Sequence, residues 1–352
     1  MATATVSVSS RSNVTAPILD RARLHAAEET SMQAIVQDTY GSADVLQMRE
    51  IARPQIGADE VLIRVHAAGV DFGVWHLMAG VPYAVRLVMG VRKPRNPVRG
   101  LEVAGVVEAT GANVTAFKTG DEVFGASEGS FAEYARASQS RVLHKPSNLT
   151  FEQAAVVPVS ATTALVGLRA AKVEAGNRVL VVGAGGGVGS YVVQIARAMG
   201  AEVTGVCSTS KLDFVRSLGA THVIDYTRQD FADSGLEYDV IIDLAGSRAV
   251  SHLRRALTAT GTLVILGGEG GGRWLGMGRQ LWSKVAGLLS RQKFRSPLGL
   301  VNQEDLGILK GMLEAGEVTP IIDRSYALAD VPAAIRALAE GHSRGKSVIK
   351  VR

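Results

Sequence analysis

Between the apolar run RVLVV and the helical run YVVQIARAMG the chain reads GAGGGVGS, Gly183 to Ser190. Glycines at such a junction remove side chains, so main-chain amides can approach a pyrophosphate, and the helix that follows presents unpaired N–H groups and a partial positive charge. In G-x-G-x-x-G spacing the first position is Ala184, the second and third are Gly186 and Gly189, and Gly187 and Val188 lie between them. About 20 residues further on, where a dinucleotide enzyme reads the adenosine ribose, the apolar run AEVTGVC ends in STSK. No carboxylate stands between Cys207 and Asp213 to accept ribose hydroxyls, whereas Ser208, Ser210 and Lys211 bring hydroxyls and a cation. A 2′-phosphate needs that combination, so the expected coenzyme is NADPH, with NADH second. The bland alternative is a glycine turn that only packs helix on sheet, with Lys211 solvated.

A turn of this kind has to sit at the end of a parallel strand. Phe151 to Ala171 reads as helical, and from Arg178 onward apolar strands (RVLVVG, AEVTGVC, HVIDY, YDVIIDLAG, GTLVILGG) alternate with helical patterns. Near-continuous apolar strands of this type mark a doubly wound α/β sheet covered on both faces. From Met32 to about Val157 short period-two runs broken by Gly, Pro and Asp predict a mostly antiparallel β domain. The C-terminal text returns to strand, helix, strand and is expected to rejoin that first domain. Residues 1–31 are rich in Ser, Thr and Ala and read as a loose extension; an organellar transit peptide fits less well because Asp20, Glu28 and Glu29 break the acid-poor pattern.

Composition narrows the chemistry. The 352 residues are enough for two domains. A net charge of +5 arises from 38 basic against 33 acidic residues, too mild an excess to imply nucleic acid. The single cysteine, Cys207, rules out an internal disulfide or a zinc site built on several thiolates, and it fits a reducing, cytoplasmic setting. The seven histidines include no HExxH, and no metal is expected.

With these motifs in place, the chain resembles a zinc-free medium-chain dehydrogenase/reductase of the quinone oxidoreductase, or zeta-crystallin-like, branch. The resemblance runs from Met32 to Arg352 through VRGLEVAGVVEATGANV, FKTGDEVFG, GSFAEY, FEQAAVVPVSATTALVGL, the glycine turn, and EAGEVTPIIDRSY through RGKSVIKV. It implies a GroES-like β domain formed by residues 32–157 and 318–352, a Rossmann domain inserted at 158–317, and a homodimer. Where zinc relatives hold their catalytic metal with two cysteines and a histidine, this chain has Asp71, Leu101, and Val159 or Ser160. Zinc-free relatives usually carry Asn at the place of Asp71 and often Asp at that of Val74, so Asp71 is either a site residue or a turn cap. The resemblance also implies Thr163 beside the nicotinamide, Tyr226 near the 2′-phosphate, Gly267 and Gly268 where the fifth strand approaches the nicotinamide, and Arg344 and Lys346 closing over cofactor phosphates.

The remaining chemistry is hydride transfer from NADPH to an acceptor that is already electrophilic, a quinone or an α,β-unsaturated carbonyl, with positioning as the main device. Tyr83 is a candidate proton donor, as is His76, though each also suits the cleft wall. The rival function is a non-catalytic NADPH-binding protein of the same fold. GASEG, Gly125 to Gly129, matches a hydrolase elbow but lacks the required helix after its serine. Phe72 to Leu101 and Gly270 to Gln303 contain bases and no acids, and Leu281, Trp282, Val285, Leu288 and Leu289 mark a basic amphipathic helix in the second. A solvated rim or subunit contact is the favoured reading there, and contact with an anionic membrane surface the second.

Overall fold

The computed structural model describes residues 30–267 and 291–352. Two large sheets and a separate antiparallel ribbon of the first two strands organise them. Along the chain the strands are β1 (Ser31–Val36), β2 (Gln47–Ala52), β3 (Glu60–Val70), β4 (Glu102–Thr110), β5 (Glu122–Ala126), β6 (Tyr134–Ser138), β7 (Val142–His144), β8 (Arg178–Val182), β9 (Glu202–Cys207), β10 (His222–Asp225), β11 (Tyr238–Asp243), β12 (Leu257–Ile265), β13 (Lys293–Arg295), β14 (Ile322–Ala327) and β15 (Lys346–Lys350).

The second sheet has the order β10-β9-β8-β11-β12-β13, and every pairing in it is parallel. Val179, Leu180, Val181, Ile241 and Ile242 are fully buried. Burial from both faces explains why these strands read as unbroken apolar runs. The strand order reverses between β8 and β11, and in such sheets the ligand crevice lies beyond the carboxyl ends of the strands at that reversal.

The first sheet has the order β14-β15-β3-β4-β5-β7, with β6 paired to β3. β15 runs antiparallel to β3, so the C-terminal strand lies in the sheet of the N-terminal half, while β14 and β15 are parallel to each other. In β3 the residues Val61, Ile63, Val65 and Ala67 are buried and Leu62, Arg64 and His66 between them only partly so, the alternation of a strand with one face on the core.

The helical text at 151–171 forms two helices: Phe151–Ala155, closed by a Thr150/Gln153 capping box, and Pro158–Ala171, with proline in its first turn. Proline costs no hydrogen bond there, but it separates the two. Tyr191 donates to Val156 O at 3.0 Å, and Gln194 exchanges hydrogen bonds with Thr319 at 2.8 and 3.1 Å. One apolar cluster contains residues of both sheets, from Ala67 and Phe124 to Val181 and Ile242. Gly268 and the expected amphipathic helix around Leu281 to Leu289 lie outside the described residues.

Candidate cofactor and acceptor cleft

Helices near the cleft are α1 (Phe72–Ala79), α2 (Val85–Met89), α3 (Phe151–Ala155), α4 (Pro158–Ala171) and α5 (Gly187–Ala198). After β8 the chain turns at Gly183, whose φ of +91° suits glycine. Gly183 and Ala184 both donate to Val206 O at 3.1 Å, which ties the turn to β9. Gly186 is the N-cap of α5 and supplies no side-chain acceptor, and among the described residues no other side chain accepts from the first-turn amides. A Cβ on Gly189 would lie 2.2 Å from Gly183 O, so this position admits no side chain. The end of β12 is equally tight: a Cβ on Gly267 would meet Leu244 O at 1.9 Å.

At the ribose edge, Ser208 and Ser210 face each other at 3.3 Å between hydroxyls. Lys211 donates to Gly341 O at 3.1 Å and Ser343 O at 2.7 Å, and burial moves its pKa down. Arg344 donates to Ser210 O at 2.9 Å. These bonds fasten the 341–345 loop, on the far side of the chain sequence, onto the turn after β9. Tyr226 is half exposed beside them. Asp225 also arrives here: β10 pairs with β9 so that Asp225 stands opposite Cys207. Sequence reading passed over Asp225 because it lies in a different strand from the serines.

On the nicotinamide side Lys346 requires a correction. Its ammonium is not available to cofactor phosphates: the side chain is 2% exposed, and Nζ donates to Glu102 Oε2 at 2.7 Å and to Ser160 Oγ at 2.9 Å. Glu102, fully buried, also accepts from the amides of Val159 at 2.8 Å and Ser160 at 3.3 Å through Oε1. One carboxylate thereby caps α4 and neutralises a lysine from β15. The stem of Lys346 still touches the glycine turn, since a Cβ on Gly187 would lie 3.1 Å from its Cδ. Neither Glu102 nor Ser160 was singled out from sequence as a charge partner.

Asp71 has the expected turn-capping role: Oδ1 accepts from Val74 N at 3.1 Å and caps α1, while Oδ2 is buried without a partner among the described residues. Burial, and then the negative charge of Glu102, push its pKa up to about 6. His76 is pushed down to about 4 by burial, so its ring is neutral at physiological pH and has no proton of the right acidity to give. Tyr83 precedes α2, with the Arg86 guanidinium 4.7 Å from its ring centre. Thr163 donates to Val159 O at 2.7 Å within α4. Gly299 packs closely on it: a Cβ there would lie 3.1 Å from Thr163 Cα. Ser127 follows β5 directly and the next elements are bridges and strand β6, so GASEG is no strand-turn-helix elbow. Among the described residues no three His, Cys, Asp or Glu side chains converge as metal ligands, and no helix is long and apolar enough to cross a membrane.

Two family models match: the alcohol dehydrogenase GroES-like domain over residues 57–147 and the zinc-binding dehydrogenase over residues 218–349. The 2-methylene-furan-3-one reductase of Solanum lycopersicum is 34% identical, over 92% of this chain and 82% of its own length. The chloroplastic NADPH-dependent alkenal/one oxidoreductase of Arabidopsis thaliana is 33% identical, over 90% of this chain and 79% of its own. Among solved structures, the quinone oxidoreductase of Coxiella burnetii superimposes with a TM-score of 0.82 at 28% identity, covering 92% of this chain and all of that one. The glycine turn, the two-sheet architecture and these similarities together show that the chain belongs to the zinc-free, quinone oxidoreductase-type family of medium-chain dehydrogenases/reductases, and that it is an oxidoreductase of the nicotinamide-dependent kind.

Proposed function

We propose that the protein transfers a hydride from NADPH to a quinone or an α,β-unsaturated carbonyl without zinc. The observation that carries this reading is the uncapped glycine turn at the strand-order reversal, flanked by Lys211, Arg344 and two serine hydroxyls at the ribose edge. The coenzyme supplies a hydride at its nicotinamide ring. The chain binds: first-turn amides of α5 receive the diphosphate, and Ser208, Ser210, Lys211 and Tyr226 receive the 2′-phosphate. Gly267 keeps the end of β12 free of side chains where the ring would lie. Asp71, with its pKa raised to about 6, is neutral only below that pH, and there it adds no negative charge opposite an acceptor oxygen that becomes anionic during reduction.

Zinc does not suit the residues at its family position. Leu101 offers no ligand atom, and the one carboxylate, Asp71, already caps α1. We further propose a homodimer, supported by the position of β13 at the edge of the second sheet among the described residues, and a cytoplasmic location, supported by the single, buried Cys207.

The test is NADPH and NADH oxidation measured in parallel with 1,2-naphthoquinone and a panel of enals and enones. Turnover with NADPH preferred supports the proposal. Tight NADPH binding with no turnover across the panel makes the protein a nucleotide-binding protein and removes the enzymatic reading.

A further inference from the structure

Asp225 places a carboxylate at the ribose edge of a site whose turn after β9 has none. In an NAD-binding site a carboxylate there accepts the ribose hydroxyls, and it repels a 2′-phosphate. Here both of its oxygens are occupied. Thr209 Oγ1 donates to Oδ2 at 2.5 Å; Thr227 donates to Oδ1 through its hydroxyl at 2.7 Å and through its amide at 3.0 Å. The two threonine hydroxyls are 3.2 Å apart, so they close over the carboxylate as a pair. Arg228 Nε lies 3.6 Å from Oδ2 with most of its side chain in solvent. Asp225 itself is only 9% exposed, whereas Thr209 and Thr227 are exposed.

We propose that Thr209 and Thr227 mask Asp225, and that this mask is a determinant of NADPH preference: it denies the ribose edge an acceptor for the 2′-hydroxyl and holds the Ser208–Lys211 turn open for a 2′-phosphate. The inference rests on the NADPH reading and deepens it. Asp225 is a positioning residue, linked through Thr209 to the turn that carries Ser208, Ser210 and Lys211, and it does not touch the coenzyme. The Thr209 and Thr227 hydroxyls hold its pKa below the usual carboxylate range, so it stays ionised at neutral pH and its charge has to be covered for a phosphate to approach. Sequence inspection finds only the missing acid at the end of β9. The masked one becomes visible when β10 is laid beside it.

Calorimetric titration with adenosine 2′,5′-bisphosphate and with 5′-AMP tests this without turnover, because the two ligands differ only in the 2′-phosphate. The wild-type protein is expected to prefer the bisphosphate. Thr209→Val/Thr227→Val, at exposed positions where folding is not at stake, is expected to weaken bisphosphate binding by about tenfold or more while 5′-AMP binding holds or tightens. Adding Asp225→Asn to that pair removes the uncovered charge and is expected to restore the bisphosphate preference. Equal weakening of both ligands, no change in either, or failure of Asp225→Asn to restore the preference overturns the masking role. A wild-type protein that does not distinguish the ligands removes the NADPH reading itself, and the mask with it.

Discussion

Replacing Lys346 by Met removes the ammonium 2.7 Å from Glu102 Oε2 and leaves that carboxylate, on a fully buried side chain, without its cation. Loss of one partner of a buried pair costs about 3–5 kcal/mol, because the remaining charge is uncompensated. Glu102 keeps its two amide donors, Val159 and Ser160, on α4, which places the expected cost at the lower end, about 3 kcal/mol. At roughly 2–4 °C per kcal/mol for large domains, the melting midpoint should fall by about 6–12 °C. Glu102→Gln in the Lys346→Met background removes the stranded charge while its amide oxygen still accepts from Val159 and Ser160, so most of the loss should return. Differential scanning calorimetry of the wild type, both single variants and the double variant gives the coupling. A Lys346→Met midpoint within about 2 °C of wild type, or a double variant no more stable than Lys346→Met, would refute the picture of a buried charge pair joining β4, β15 and α4.

Asp71→Asn tests the buried carboxyl. Its folded pKa of about 6 lies above its ordinary 3.8, so the stability linked to its neutral form is fully present below pH 3.8 and is lost as pH rises through about 6. The Asn variant should therefore gain on wild type, by on the order of 2–3 kcal/mol, between pH 4 and 7, as read by urea midpoints across that range; a constant difference would contradict the shift. Gly189→Ala forces a methyl to 2.2 Å from Gly183 O, and NADPH binding by fluorescence titration should fall by about a hundredfold or more, whereas an unchanged dissociation constant would place the coenzyme elsewhere. Cys207 is buried and its thiol is pushed up to about 11, so thiol-modifying reagents should react with the folded protein far more slowly than with the urea-unfolded chain; equal rates would contradict its burial.

Local signals made the glycine turn and the strand and helix around it legible. The glycine turn, its flanking strand and helix, and the hydroxyls after β9 are neighbours in sequence, and their backbone demands fix residue types at short spacing. The period-two text of β3 reports a half-buried strand for the same reason. Long-range electrostatics left no such trace. Lys346 and Glu102 are 244 positions apart, and in SRGKS the two bases Arg344 and Lys346 read alike as phosphate partners although the fold buries Lys346 and exposes Arg344. Asp225 was invisible as a ribose-edge acid because strand pairing, not spacing, brings it opposite Cys207. Asp71 reads from the sequence as either a turn cap or a site residue, and the cap is the role its Oδ1 fills.

The central claim is metal-independent hydride transfer from a 2′-phosphorylated nicotinamide coenzyme. Steady-state oxidation of NADPH by an enone, run alongside NADH and repeated after exhaustive treatment with a zinc chelator, tests it most directly. The expected result is a kcat/KM for NADPH at least about tenfold above that for NADH, unchanged by the chelator. Activity that disappears on chelation and returns with added zinc, or an equal or greater kcat/KM with NADH, would contradict the account.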